Sequence, residues 1–205
     1  ASAKEDLRRI VSQGRQAAQM VRQILDFSRK TGVDRRPVDL VPFLKEMAKL
    51  LARTLPENIR VVFGFLDGAC VVEANLTQLQ QVIMNLAVNA RDAMPEGGEL
   101  RIELSHLRAQ PGERPPLPWM GPGEWAVWAV SDTGTGMSPE VMAHIYEPFF
   151  TTKRSGEGTG LGLAQVYGIV QQHGGYIDVK SGVGKGTSFT MYLPRVARAE
   201  AFPDR

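Results

Sequence analysis

A run of alternating glycines limits the possible folds of this chain more than any other feature. The glycines stand at every second position, at Gly156, Gly158, Gly160 and Gly162, with Thr159 and Leu161 between the last three. So many glycines disfavour both helix and strand, because each adds backbone freedom that folding must restrict. The run therefore predicts a flexible loop up to Gly160, followed by a helix over 161–172. Free N–H groups at the start of a helix suit phosphate oxygens.

The residues before this run add positive charge and an apolar hinge. Lys153 and Arg154 place two cations near the loop, and Phe149-Phe150 is predicted to be the hinge on which a lid seats. The alternative is a disordered glycine-rich loop without a ligand. Spacing excludes two common phosphate loops: Val179 stands where a Walker A loop ending at Gly184-Lys185 needs glycine, and the alternating glycines break the dinucleotide fingerprint.

Hydrophobic periodicity predicts a mixture of helices and strands without strict alternation, which favours a sheet with helices on one face. Asn75, with Gln78 three residues later, is predicted to open a helix with a capping box. The predicted helices span 39–54, 75–94, 139–146 and 161–172, and the predicted strands span 60–66, 70–74, 99–107, 124–131, 176–180 and 187–193. Between two of the strands, Arg108–Gly123 holds five prolines and three glycines. This segment is predicted to be a long hairpin loop that cannot join a ladder.

The N-terminal segment has the pattern of a helix that packs against other helices. Residues 4–30 carry a heptad stripe, at Leu7, Val11, Gly14, Ala18, Val21, Leu25 and Ser28. The stripe predicts part of a helical bundle, and the alternative is a helix docked on its own domain. Gly32, Pro37 and the basic pair Arg35-Arg36 predict a linker after it. The expected division is a helix and linker over 1–36, a globular domain over 37–196 and a tail over 197–205.

Composition argues against several classes of function. No stretch approaches the roughly 20 apolar residues of a membrane-spanning helix, and the first ten residues lack the apolar core of a signal peptide. The single cysteine, Cys70, has no disulfide partner and no clustered metal ligands. We therefore expect a reduced, cytoplasmic setting without membrane contact. A formal net charge of +2 with scattered basic residues gives no indication of nucleic-acid binding.

Two asparagines stand out on the helix predicted over 75–94. Asn85 and Asn89 are four residues apart, so both amides emerge on one helix face. Amide oxygens are neutral ligands that can join phosphate oxygens and water around Mg²⁺. The alternative is a structural role, in which both asparagines make hydrogen bonds in the core or at a helix end.

An aspartate follows the apolar strand predicted over 124–131. Asp132 can accept a hydrogen bond from an exocyclic amine, while Gly134 and Gly136 let a flat ring approach the backbone. Such a site would favour adenine over guanine, which offers an oxygen at that place. Thr187, in the turn that opens the last strand, is expected beside Asp132. The alternative for both segments is a plain turn.

Taken in order, four segments resemble the N, G1, F/G2 and G3 boxes of sensor histidine kinases, within the wider GHKL ATPase superfamily. They are NLAVNARDA at 85–93, DTGTGM at 132–137, the stretch from EPFFTTK to GEGTGLGL at 147–163, and GKGTSF at 184–189. The likeness covers residues 39–194, and the residues of these motifs are similar to those of the hybrid-kinase branch that includes CckA-like proteins. It implies an α+β fold: a two-layer α/β sandwich of the GHKL (Bergerat) type, with a mixed five-stranded sheet, three helices on one face and a long helix in front.

The resemblance also implies ATP and Mg²⁺ as ligands, with a role for each matching residue. Asn89 and Asn85 are expected to bind Mg²⁺, and together with Lys153 they are the expected catalytic residues. The residues expected around the nucleotide are Asn89, Asp132, Gly134, Gly136, Phe149, Phe150, Lys153, Gly156, Gly158, Thr159, Gly160, Leu161, Gly162 and Thr187. Arg91 is a further candidate for phosphate contact, because this chain lacks the lysine or aromatic residue that many family members have after the NA pair.

The same resemblance suggests what the N-terminal helix is and which reaction the chain serves. LRRIVSQGRQAAQMVRQILDFSR is similar to the second helix of the dimerisation and phosphotransfer hairpin, which implies a homodimer in the full-length protein. None of the three histidines, His106, His144 and His173, lies in a phosphoacceptor motif, so all three are expected to be structural or surface residues. The chain is expected to be a piece of a kinase that relays phosphate to a response regulator receiver domain, and to be unable to phosphorylate itself.

Two other functions remain open at this point. A GHKL ATPase of the chaperone, gyrase or mismatch-repair type carries a glutamate base four residues before the asparagine, where this chain has Asn85. An amide cannot take a proton from water, which favours the kinase. The second alternative is a degenerate module that binds nucleotide or a partner without chemistry, and the intact Asn89, Asp132 and glycine lid argue against it.

Overall fold

The computed structural model describes residues 34–65, 68–112, 115–154 and 158–196, which form seven strands and four helices. The strands are β1 (Arg36–Asp39), β2 (Ile59–Gly64), β3 (Val71–Ala74), β4 (Gly98–Ala109), β5 (Gly123–Asp132), β6 (Tyr176–Ser181) and β7 (Thr187–Pro194). The helices are α1 (Leu40–Thr54), α2 (Leu76–Ala93), α3 (Pro139–Met142) and α4 (Gly162–Gln172). The helix predicted over 4–30, Gly156 and the tail over 197–205 lie outside the described residues. The division of the chain into domains stays a prediction.

Five of the strands form one mixed sheet in the order β2-β4-β5-β7-β6. β2 runs parallel to β4, and the other neighbours are antiparallel. Apolar side chains of one sheet face, among them Leu100, Ile102, Trp128 and Met191, are buried under α1, α2 and α4. Strand alternation produces this face, because every second side chain points the same way. The predicted mixed five-stranded sheet with three helices on one face is therefore confirmed, and α3 is a short addition.

A small second sheet begins inside the segment predicted to be a linker. β1 starts at Arg36 and pairs antiparallel with β3. Asp39 follows as the N-cap of α1, and its carboxylate accepts hydrogen bonds from the N–H groups of Val41 and Cys70, both at 3.1 Å. The linker prediction was wrong at Arg36, because β3 offers that segment a partner strand that periodicity cannot reveal.

The start of α2 is capped as predicted, but the capping box is not formed. The Asn75 side chain accepts a hydrogen bond from the Gln78 N–H at 3.1 Å. The Gln78 amide donates to Gln172 of α4 at 3.1 Å instead of reaching back. The Asn75 N–H donates to Nε2 of His173 at 3.1 Å. The end of α4 lies beside the start of α2, and its side chains take the place of the predicted partner.

The segment between β4 and β5 packs on the sheet face that the helices leave uncovered. The strands continue to Ala109 and Gly123, which pair in register, so the prediction that 108–123 stays out of the ladder was wrong at both ends. A second apolar cluster lies here and consists of Leu117, Met120, Trp125 and Tyr192. Trp125 and Tyr192 point away from the helices by strand alternation, and the apolar loop side chains bury them.

The helices of the described residues are modest in length. α3 ends at Met142 and gives way to turns, four residues earlier than predicted. The longest helix among the described residues, α2, has 18 residues. No helix of the described part of the chain is long and apolar enough to cross a membrane.

Candidate functional site

A cavity of about 480 Å³ opens between α2, the segment after β5 and the segment before α4. The predicted site residues that line it are Asn85, Asn89, Arg91, Asp132, Gly136, Phe150, Lys153, Gly158, Thr159, Gly160, Gly162 and Thr187. Gly134, Phe149 and Leu161 are absent from this lining, and Gly156 lies outside the described residues. Four segments that are far apart in the sequence therefore meet around one cavity.

Asp132 ends β5 and lines the cavity. In the ladder it stands opposite Thr187 of β7, as expected. Its carboxylate accepts the Gly134 N–H at 2.9 Å and a backbone hydrogen bond from Thr187. Burial raises the pKa of the Asp132 carboxyl, and these two N–H groups oppose the rise without cancelling it. The site thus holds a desolvated carboxylate with oxygen lone pairs left for a ligand donor.

The glycines after Asp132 allow a close approach of backbone segments. A Cβ on Gly134 would come within 2.6 Å of the Ala93 carbonyl oxygen at the end of α2. Gly136 has a φ of +65°, and a Cβ there would overlap the backbone of Gly182. Gly134 therefore packs against the end of α2 and donates its N–H to Asp132, while Gly136 lines the cavity.

The two asparagines of α2 have different environments. The Asn85 side-chain NH₂ donates to the Gly162 carbonyl at 3.1 Å and to Oε1 of Gln165 at 3.3 Å. The Asn89 side chain makes no hydrogen bond with any of the described residues, although it lines the same cavity. Asn85 therefore ties α2 to α4 through its nitrogen, whereas all the hydrogen-bonding capacity of Asn89 is open to a ligand.

Lys153 is held at the cavity by a residue that sequence reasoning missed. Its ammonium forms an ion pair with the Asp92 carboxylate, which also accepts two hydrogen bonds from the Arg91 guanidinium, at 2.7 and 2.9 Å. Burial opposes ionisation of Asp92, but hydrogen bonds and charge from Lys153 and Arg91 outweigh it and lower the pKa of that carboxyl. Lys153 and Asp92 are 61 positions apart, and the sequence motifs around them do not indicate that they pair. Three charges thus meet at the mouth of the cavity, with a net excess of one positive charge.

The two phenylalanines of the predicted hinge point in different directions. Phe150 lines the cavity, and its ring lies 5.6 Å from that of His144. Phe149 is 60% exposed and has a φ of +71°, which is unusual for a residue with a side chain. Its N–H donates to the Gly160 carbonyl at 2.9 Å. The start and the end of the segment between Phe149 and Gly160 are therefore tied together.

The start of α4 differs from those of the other three described helices. A side chain caps each of α1, α2 and α3, whereas no side chain caps the N-terminus of α4 at Leu161. The first N–H groups of a helix have no intrahelical partner and carry partial positive charge. Gly162 and Leu163 of this first turn line the cavity. These donors line the same cavity as Lys153 and Arg91, and together they suit an anion with several oxygens.

Comparison with known proteins shows the family of the chain. Residues 74–197 match the family of histidine kinase-, DNA gyrase B-, and HSP90-like ATPases. The chain is 41% identical over 199 residues to the sensor kinase CckA of Brucella abortus (strain 2308), which covers 97% of this chain and 21% of that protein. It spans only about a fifth of the length of that curated relative.

Two solved structures have the same fold. Full-length ShkA in complex with AMPPNP superposes with a TM-score of 0.74 at 25% identity, over 97% of this chain and 40% of that one. The catalytic domain of the histidine kinase ThkA superposes with a TM-score of 0.64 at 27% identity, over 80% of this chain and 97% of that one. By its sequence, its fold and its cavity, the chain belongs to the histidine kinase-, DNA gyrase B- and HSP90-like ATPases.

Proposed function

We propose that this chain is the ATP-binding catalytic part of a two-component sensor histidine kinase, which presents the γ-phosphate of ATP to a histidine carried by another segment. The observation that carries the proposal is the single cavity that brings together a desolvated Asp132, the open amide of Asn89 and the cationic mouth at Lys153. These groups match the three parts of the ligand: purine base, metal-bound phosphates and terminal phosphate.

Asp132 is proposed to read the adenine. A carboxylate that accepts a hydrogen bond from the exocyclic amine stabilises the complex by about 1.5–3 kcal/mol, because the acceptor is charged. Gly134 and Thr187 hold the carboxylate in place with their N–H groups, so little ordering is left for binding. Guanine presents an oxygen at the same position, and two acceptors facing each other would repel.

Asn85 and Asn89 fit the Mg²⁺ that such a nucleotide carries. The described residues contain no group of three or more His, Cys, Asp or Glu side chains that could hold a metal ion. The amide oxygens of Asn85 and Asn89 would instead share the cation with phosphate oxygens and water. Asn89 has a free amide and Asn85 a free carbonyl oxygen, one helical turn apart on α2. Magnesium bound there would neutralise charge on the phosphates.

The phosphates are proposed to lie at the start of α4. The uncapped N–H groups of its first turn would bind phosphate oxygens. The Lys153 ammonium and the Arg91 guanidinium would face the terminal phosphate. Phosphoryl transfer needs mainly positioning and charge stabilisation from the protein, and this set of donors supplies both.

Transfer to a histidine is favoured over hydrolysis by the residue at position 85. An amide cannot take a proton from water, and both hydrogens of the Asn85 NH₂ are already donated to Gly162 and Gln165. Asp92 is the single acidic residue of α2, and it is paired with Lys153 and Arg91. Helix α2 therefore offers no free carboxylate as a general base for water beside Asn85.

None of the three histidines of the chain lines the cavity. His173 is buried, with Nδ1 against the Ile169 carbonyl at 2.8 Å and Nε2 accepting the Asn75 N–H. His144 contacts Glu147 at 2.8 Å, and His106 lies on an exposed position of β4. The proposed acceptor belongs to a dimerisation hairpin, with a homodimer as the active form. The proposed onward partner is a response regulator receiver domain, and the proposed location is the cytoplasm.

The test is transfer in trans. The chain is mixed with a separate fragment that carries the hairpin helix and its histidine, together with Mg²⁺ and ATP labelled on the γ-phosphate. We expect label on the fragment, and none when the fragment's histidine is replaced by glutamine. Steady release of inorganic phosphate by the chain alone would indicate an ATPase instead. Nucleotide binding without transfer or release would indicate a binding module.

A further inference from the structure

Side-chain amides join α2 to α4 beside the cavity. Gln165 of α4 is 8% exposed and is one of the few buried polar residues among those described. Its Oε1 accepts a hydrogen bond from the Gln81 amide at 3.1 Å and a second from the Asn85 amide at 3.3 Å. A buried amide is retained at such a place when its hydrogen bonds are satisfied. Gln165 therefore lies directly behind one of the two asparagines proposed to bind the cation.

The orientation of the Asn85 amide follows from counting its donors. Its partner at 3.1 Å is the backbone carbonyl of Gly162, which can only accept a hydrogen bond, so the Asn85 atom facing it is the nitrogen. An amide NH₂ has two hydrogens, and Gln165 takes the second one. The carbonyl oxygen of Asn85 is then its only remaining hydrogen-bonding group. An apolar residue at position 165 would leave one hydrogen unpaired and remove half of this restraint.

We infer that Gln165 is a positioning residue for the cation site: it fixes the Asn85 amide with its nitrogen towards α4, so that the carbonyl oxygen is presented to the divalent cation of the bound nucleotide. The inference rests on the proposed function, because it concerns the same cavity. Gln81 supports the arrangement by holding Oε1 of Gln165 from the other side. Partners that orient metal ligands in this way typically change metal affinity about 10- to 100-fold when they are removed.

The chain offers a matched control on the same two helices. Gln78 and Gln172 form an amide hydrogen bond of 3.1 Å between α2 and α4, the same length as the bond between Gln81 and Gln165. Neither residue lines the cavity or contacts Asn85. A purely structural role for Gln165 predicts that loss of either bond has the same consequences. A positioning role predicts that only the bond at Gln165 affects the cation.

The experiment measures AMPPNP binding to the full chain by calorimetry, in Mg²⁺ and in EDTA, for the unaltered protein, Gln165→Met, Gln165→Glu and Gln172→Met. The dissociation constant in EDTA divided by that in Mg²⁺ reports how strongly Mg²⁺ favours nucleotide binding. We expect Gln165→Met to lower this ratio about 10-fold with little change in EDTA. Gln165→Glu keeps an acceptor oxygen and should retain the coupling, as should Gln172→Met.

The outcomes separate the two proposals. If the unaltered protein binds AMPPNP equally well with and without Mg²⁺, the cation site and the inference built on it both fail. If the unaltered protein shows the coupling and Gln165→Met keeps it, or if Gln172→Met loses as much, only the positioning role fails.

A measurement on the unaltered protein covers the case in which Gln165→Met does not fold. Nuclear magnetic resonance should show the side-chain NH₂ protons of Asn85 protected from exchange both before and after Mg²⁺ and AMPPNP are added. The Asn85 side-chain carbonyl resonance should shift only when Mg²⁺ is present. Loss of NH₂ protection on adding Mg²⁺ would mean that the amide turns over, and would overturn the inference.

Discussion

Replacement of the Asp132 carboxylate, which lines the cavity, tests the proposed nucleotide orientation most directly. Asp132→Asn keeps the size and one acceptor oxygen of the side chain. The Gly134 N–H, at 2.9 Å, and the Thr187 backbone both donate to this side chain, so they hold the remaining oxygen and turn the new NH₂ towards the ligand. The adenine amine would then face a donor instead of a charged acceptor. A hydrogen bond to a charged group contributes about 1.5–3 kcal/mol.

Loss of that bond corresponds to a roughly 10- to 150-fold weaker affinity for ATP, at about 1.36 kcal/mol for each factor of ten. Calorimetry with AMPPNP gives the dissociation constant directly, and circular dichroism checks that the fold is intact. Asp178→Asn is the matched control, since Asp178 lies on β6 outside the cavity lining and loses the same charge. An affinity for Asp132→Asn equal to that of Asp178→Asn would refute the placement of the base.

Three further predictions concern acidity, the lid and the loop. Burial raises the pKa of Asp132, so acidification should protonate this carboxyl and weaken ATP binding at a higher pH than it would for an exposed aspartate. Because the pKa is higher in the folded state, the folded state gains stability from this group as the pH falls. Asp132→Asn should remove both effects from the pH profile. Gly160→Ala should weaken ATP binding and lower the melting temperature by more than Gly184→Ala. Both glycines have a positive φ (+65° and +73°), which costs a residue with a side chain about 1–2 kcal/mol, but only a Cβ at Gly160 would come within 2.6 Å of the Phe149 Cα. Equal effects of the two substitutions would contradict this prediction. Leu117→Ala should cost about 2 kcal/mol of unfolding free energy and leave ATP affinity unchanged, as measured by denaturant unfolding and calorimetry, while Trp119→Ala, at a residue 68% exposed, should change neither.

The last of these predictions revises the view of the loop that composition suggested. Prolines and glycines predicted a long hairpin loop between β4 and β5 that stays out of the ladder. None of the described residues of this segment lines the cavity, so we expect that shortening it leaves nucleotide binding intact. The contribution of this segment to stability could not be predicted from the sequence, because Leu117 and Met120 contact Trp125 and Tyr192 only once the sheet has formed.

Features that depend on neighbours in the sequence could be predicted from the sequence alone. Apolar residues at period two and at helical spacing placed the strands and helices of the main sheet within a few residues, because side-chain direction follows backbone geometry. Asn75 was correctly predicted to cap α2, since an N-cap bonds an N–H three residues away. The glycine run predicted a loop that leads into α4, and the structure has this arrangement on the residues described.

Only the tertiary structure decided how polar side chains choose among several possible partners. Gln78 could have closed a capping box, but it bonds Gln172 because α4 ends beside it. Asp92 and Lys153 meet across 61 positions, and Asn85 and Gln165 across 80. Such contacts are selected by the packing of whole helices and not by local preference. The sequence therefore determined which groups could form a nucleotide site, and the fold decided which of their atoms are left free to bind.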